Sequence, residues 1–206
     1  MRIITISREF GSGGRELGKR LSDHLGCDYY DSEIISAVAE KSGMDKRYVE
    51  STLSNHGWQN YKISFRGTLG SSAYLQASKV NLLLTQKKVI EEIAALGQDC
   101  VIICRNADVI LREYRPFKLF VCAELDAKVK RCMERAPQGE DLTEKELIRK
   151  MKQIDKNRSQ TREIIGGAAW GQRDACHLTV NTTDWEIKKL VPAVAEFAAR
   201  WFGSLE

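Results

Sequence analysis

Three glycines, Gly11, Gly13 and Gly14, stand between a β-branched run (residues 2–7, RIITIS) and a helical pattern that carries Leu17, Leu21 and Leu25. Glycines at a strand-to-helix junction let consecutive backbone N–H groups turn toward one anion, and the helix dipole favours negative charge at the same spot. Gly11, Ser12, Gly13, Gly14, Arg15 and Glu16 therefore form the first candidate site, one suited to a phosphate group. Two loop chemistries compete for it. The dinucleotide loop needs G-x-G-x-x-G; Gly11 and Gly13 match, Glu16 takes the third glycine's place, and Asp31 after the second strand suits its ribose acid. The triphosphate loop needs G-x-x-x-x-G-K followed by Ser or Thr; Gly13 matches the second glycine, while Arg8, Gly14 and Arg15 depart from the other three positions. A glycine turn that binds nothing is the third reading.

Composition narrows the class of ligand. The chain has 206 residues, 43% hydrophobic and 29% charged, which suits one globular domain able to bury a core. Its 32 basic and 28 acidic residues leave +4, too mild for coating nucleic acid but compatible with a small anionic substrate. The six cysteines form no C-x-x-C and lie largely in apolar runs, as buried thiols of a reducing compartment do. No apolar stretch reaches the length of a membrane span and no signal-peptide core is present, so the chain reads as cytoplasmic, with no membrane partner.

The elements that must position the loop follow from periodicity. Buried strands are expected at 2–7, near CDYY (27–30), at CVIIC (100–104), at FKLFVCA (117–123) and at HLTVN (177–181), with helices between them. Gly26 and Gly97 should end helices. Over 75–96, Val80, Leu83, Leu84, Ile90, Ile93 and Ala94 share one helical face. Thr143 and Glu146 spell a capping box, with Leu142 on Leu147 as its hydrophobic staple. Pro192 falls inside the last helical pattern and should kink it. Alternating strands and helices give an α/β three-layer sandwich with a five-stranded parallel sheet. Residues 1–206 read as one domain, with an irregular insertion at 45–75.

The stretch SREFGSGGRELGKRLSDHLGCDYYD resembles the opening of the cytidylate-kinase-like family, relatives of the P-loop nucleoside monophosphate kinases. IDKNRSQTREIIGGAAWG, followed by a strand ending in Asn-Thr, resembles that family's later signature. The resemblance implies a P-loop kinase fold with a helical lid over 131–158, ATP and Mg2+ at the 11–16 loop, and a nucleoside monophosphate as acceptor. It implies that Arg158 binds the acceptor's phosphate, Asp155 its sugar, and Asp31-Ser32 lines the acceptor pocket on the side of the 45–75 insertion. CRN at 104–106 stands where cytidylate kinases carry GRD, which makes Arg105 a phosphate ligand, and Arg131 and Arg135 take the place of transition-state arginines. Arg15 stands in for the missing P-loop lysine, and Glu9, Glu16 or Asp31 supplies an acid for the metal.

Arginine suits these tasks because phosphoryl transfer rests on positioning phosphates and neutralising their charge. Arg112, Arg149 and Arg200 read as solvated surface charges. The departures matter as well: Gly14 carries no lysine, and Ile103 and Cys104 replace an acid and a glycine that cytidylate kinases carry there. Three functions remain open: a kinase for a nucleoside monophosphate or similar small acceptor, a nucleotide-binding module without efficient transfer, and a nicotinamide dinucleotide enzyme.

Overall fold

The β-branched run near the N-terminus forms β1 (Ile3–Arg8), and the glycine loop after it leads into α1 (Gly14–Leu25), closed by Gly26 in the left-handed region at φ 63°. β2 (Asp28–Tyr30), α2 (Ser32–Ser42), α3 (Ser72–Ala95) and β3 (Cys100–Ile103) follow. Then come α4 (Ala107–Ile110), β4 (Phe117–Cys122), α5 (Leu125–Glu134), α6 (Glu144–Ile165), β5 (Leu178–Asn181) and α7 (Ile187–Gly203). The computed structural model describes residues 1–44, 46, 72–136, 143–166 and 169–205. Most of the expected 45–75 insertion, residues 137–142 of the expected lid and the Leu142 half of the staple lie outside them.

All four strand pairings are parallel, in the order β2-β3-β1-β4-β5. This is the expected five-stranded α/β sheet. β1 sits at its centre, so the loop leaving β1 emerges between the ends of β3 and β4. A parallel sheet covered on both faces is apolar throughout: Ile3, Ile4, Ile6, Val101, Ile102, Leu119 and Val121 are all buried. On one face, Ile4, Ile6, Val101, Ile103, Leu119 and Val121 meet Leu17 and Leu21 of α1 and Ile187, Val191 and Val194 of α7 in one cluster. α7 runs through Pro192 as a single helix. α6 starts at the expected capping box, with Thr143 accepting from the Glu146 N–H and Glu146 accepting from the Thr143 N–H.

Two compact units partition the chain, residues 1–30 with 96–206, and residues 31–95. In the second, α2 packs on α3, and Lys41 pairs with Glu92. The buried stripe of α3 is Leu82, Leu83, Gln86, Val89, Ile90 and Ala94, whereas Val80 and Leu84 are 40% and 54% exposed. This corrects the expected face. The stripe passes through Gln86, a polar residue that apolar periodicity cannot register.

At the amino-terminal end of β4, Phe117 is fully buried beneath Phe197, Trp201 and Phe202. His177 stacks on Trp201 at 4.4 Å, and its Nδ1 accepts the Lys118 N–H at 3.1 Å. Burial first, and the Lys118 charge second, hold this imidazole below its ordinary 6.5. The unfolded chain therefore binds the proton more readily, and stability should fall as pH drops through 6.5. Urea unfolding followed across that range should show this slope, and His177→Phe should reduce it.

Candidate active site

The strand period puts Ile4, Ile6 and Arg8 on one face of β1, the face that α1 covers. α1 lies so near that a Cβ at Gly14 would sit 2.8 Å from Arg8 Cβ and 3.1 Å from Val121 Cβ. One turn later, a Cβ at Gly18 would sit 2.4 Å from Ile103 Cδ1. These two glycines are the contact surface of the helix on the sheet. Gly11 and Gly13 do a different task, bending the loop at φ 76° and 79°, where other residues are strained.

The loop is held from three sides. Ser12 is fully buried; its Oγ donates to the Glu9 carbonyl at 2.9 Å, and its own carbonyl accepts from Thr182 Oγ1 at 2.6 Å. From α5, Arg131 donates to the Gly11 carbonyl at 2.8 Å and to the Thr182 carbonyl at 3.2 Å. Lys128 donates to Glu9 at 2.7 Å, and Cys132 packs against Gly11. From α6, Asp155 accepts the Phe10 N–H at 2.9 Å. Gly13 is the N-cap of α1 and offers no capping side chain, so the first-turn N–H groups of the helix have no capping oxygen from it.

Next to this loop the arginines converge. Arg158 is 4% exposed and donates from Nη1 to the Arg8 carbonyl at 2.9 Å and to Asp155 at 2.8 Å. Burial, then the like charges of Arg8 and Arg105, outweigh Asp155 and push Arg158 down to about 9, still cationic at neutral pH. Arg105, 7% exposed, leaves the end of β3 and donates to Thr161 Oγ1 at 3.5 Å. Beside it, Asn106 is fully buried, and neither of its side-chain polar atoms has a hydrogen-bond partner among the described residues. A buried amide left so costs about 1–3 kcal/mol unless something else meets it.

The predicted residues thus separate into groups. Gly11, Ser12, Gly13 and Gly14 make the loop, Arg131, Asp155 and Arg158 hold it, and Arg105 lies near the charge of Arg158. Arg15 is exposed on α1. Glu16 is bracketed by Arg20 at 2.9 Å and by Arg135, whose contacts lower its pKa against burial, the largest single influence. Asp31 is buried as the N-cap of α2 and opens the second unit, followed by Ser32. Sequence reasoning gives no role to Arg8, Asn106 or Thr182 and does not pair Glu9 with Lys128. It also passed over Arg162, which binds Asp108 through both its terminal nitrogens, one at 2.7 Å, and donates to the Arg105 carbonyl at 3.0 Å. The only sequence signal for Arg162 was helical spacing, one turn beyond Arg158.

An open cleft of about 910 Å³ is lined by Glu16, Arg131, Arg135, Thr183, Trp185 and Ile187 among others, and Arg131 joins it to the loop through the Gly11 carbonyl. Trp185 is 53% exposed there. The adjacency of β1 to β3 differs from the dinucleotide-binding order, in which β2 lies beside β1. The nicotinamide reading loses its structural basis.

A family model described as the cytidylate kinase-like family matches residues 3–184. The chain belongs to the cytidylate kinase-like family. No curated protein matches it. Among similar solved structures is an uncharacterized protein from Eubacterium ventriosum, 22% identical, covering 97% of this chain and 99% of that one, with a TM-score of 0.70. A shikimate kinase from Bacteroides thetaiotaomicron is 13% identical, with 95% and 97% covered and a TM-score of 0.58. A shikimate kinase from Acinetobacter baumannii, in complex with shikimate, is 12% identical, with 97% and 94% covered and a TM-score of 0.55. At these identities the likenesses give the fold, a P-loop kinase type of sheet, carried here by a member of the cytidylate kinase-like family.

Asp108 and Arg162 are both buried, so removing one partner strands the other's charge. Arg162→Met should cost about 3–5 kcal/mol in urea unfolding. Adding Asp108→Leu should recover most of that loss, which a double-mutant cycle will show.

Proposed function

We propose that the chain transfers the γ-phosphoryl group of ATP to a nucleoside monophosphate, CMP-like, or to a similar small phosphate acceptor. The observation that carries this reading is the gathering of Arg8, Arg105 and Arg158 beside an uncapped helix N-terminus at the carboxyl ends of β1 and β3. Family membership and the kinase type of sheet support the same reaction.

The fit to ATP rests on the loop. Gly11 and Gly13 give it the curvature to cradle phosphates, and the cleft offers Trp185 as a stacking surface for a base, with Arg135 also in its lining. The fit to a protein-held magnesium is poorer. Glu9 is engaged by Lys128, Glu16 by Arg20 and Arg135, and Asp155 by Arg158. No cluster of three metal-ligating side chains occurs among the described residues. Magnesium would therefore arrive on the nucleotide's phosphates with its own waters, and no step assigned here to the chain's residues passes through it.

In the transfer, an acceptor phosphate oxygen forms the new bond to the γ-phosphorus as the bond to the β–γ bridging oxygen breaks. ADP departs with that electron pair. Arg105 and Arg158 hold the acceptor phosphate and offset the charge repulsion between the two phosphates, which is most of what such an enzyme must do. Asp155 acts first on the protein, fixing the Phe10 N–H and Arg158, rather than on the acceptor's sugar. The buried Asn106 amide, without a partner among the described residues, would meet a polar group of the acceptor on binding. The expected 131–158 lid would exclude water around them.

One observation favours a second reading, a nucleotide-binding module without efficient transfer: Gly14 carries no lysine, and the carboxylates beside the loop are already engaged by cations. Incubation with ATP, magnesium and each nucleoside monophosphate in turn, followed by chromatography, separates the two. Diphosphate formed from one acceptor supports transfer, and nucleotide binding without any product supports the module. Arg105→Lys keeps the charge but loses the planar fork, and should lower kcat/KM for the acceptor on the order of 100-fold with little change in ATP affinity.

A further inference from the structure

The phosphate loop of this fold normally draws its cation from a lysine at the first turn of the helix, in the position Gly14 occupies here. Arg15, its neighbour in sequence, lies on the exposed face of α1. Arg8 occupies the position of the loop's first glycine, at the very end of β1. Strand alternation turns its side chain to the face covered by α1, the same face as Ile4 and Ile6. There it runs along the helix start, with Cβ 2.8 Å and Cδ 3.1 Å from where a Gly14 Cβ would be. The Arg8 side chain thus fills the path along which a lysine at position 14 would leave the helix. Its charge lies near that of Arg158, which is anchored under the same loop through the Arg8 carbonyl.

We propose that Arg8 replaces the phosphate-binding lysine, so that the strand end rather than the helix start delivers the cation to the nucleotide's phosphates. The two departures from the loop pattern are then one exchange. A cation at position 8 requires glycine at position 14, and glycine at 14 requires the cation from elsewhere. This rests on the phosphoryl-transfer reading above, and it names the residue that reading lacks. Arginine at this place also changes the recognition, because a planar fork can bind two phosphate oxygens where an ammonium acts as a point charge.

Binding of ATP and of inorganic tripolyphosphate to the full chain, measured by titration calorimetry, tests the exchange without depending on turnover. Tripolyphosphate has no base, so its affinity reports phosphate recognition without any contribution from base stacking. Arg8→Ala should weaken both ligands about 10- to 100-fold, and Arg8→Lys should recover much of that loss. Gly14→Lys alone should bind poorly, since its side chain meets Arg8. The double variant Arg8→Gly with Gly14→Lys should bind more tightly than Arg8→Ala or Gly14→Lys, a positive coupling between positions in contact. Circular dichroism melting checks that each variant is folded, and the Arg8→Ala and Arg8→Lys comparison stands even if a Gly14 variant does not fold. Wild-type protein that binds neither ligand would sink the phosphoryl-transfer reading itself. Wild-type binding that Arg8→Ala leaves unchanged, or a folded double variant no better than Gly14→Lys, would overturn the exchange and leave that reading standing.

Discussion

One nitrogen of Arg158 donates to the carbonyl of Arg8 and to Asp155, and Asp155 accepts the N–H of Phe10. Through that pair, α6 grips the end of β1 and the first residues of the glycine loop at once. Arg158 is buried near the like charges of Arg8 and Arg105, a costly arrangement that Asp155 offsets only in part, so its proton affinity is lowered. The loop's other anchors, Arg131 and Lys128 from α5 and Thr182 after β5, fix the remaining sides. The loop is thus pre-shaped by cations and hydroxyls that hold its carbonyls, and by the Phe10 and Ser12 N–H groups, which donate to Asp155 and to the Glu9 carbonyl. Preorganised dipoles of this kind need no rearrangement when charge arrives.

The second constraint is the approach of α1 to the sheet. Glycine inside a helix is unfavourable by about 1 kcal/mol relative to alanine, so two glycines one turn apart on one helix face need a reason. Here the reason is distance: Gly14 rests over Arg8 and Val121, and Gly18 over Ile103 and Ile6. The close approach brings the N-terminus of α1 down onto the end of β1, where the helix dipole acts together with the arginines. It also removes room for a lysine at position 14. The same packing that brings the helix onto the proposed anion site thus alters the usual way of equipping it.

How much of this was legible beforehand follows from the range of each signal. Strand runs, the glycine loop, the Gly26 stop and the Thr143–Glu146 box are local patterns, and each appears where the residues put it. Gln86 hid the buried stripe of α3 because periodicity reads polarity and not position. The arginine cluster was legible only through resemblance, since Arg105 and Arg158 are 53 residues apart and nothing local joins them. Arg8 was read as a failed glycine because its value depends on a helix that returns over it. Asp155 took its expected role from relatives, whereas the geometry commits its oxygens to the loop. Contacts between distant residues are what a single sequence conceals.

The buried arginines beside the glycine loop are proposed as a binding site for phosphate-bearing ligands. The direct measurement is the melting temperature of the chain as a function of CMP or inorganic phosphate, at constant ionic strength, with chloride as the control. A ligand that binds only the folded form stabilises it by RT ln(1 + [L]/Kd), about 2.7 kcal/mol at a hundredfold excess over Kd. The account predicts a midpoint that climbs with CMP and with phosphate but not with chloride. A midpoint indifferent to CMP, phosphate and chloride alike would contradict it.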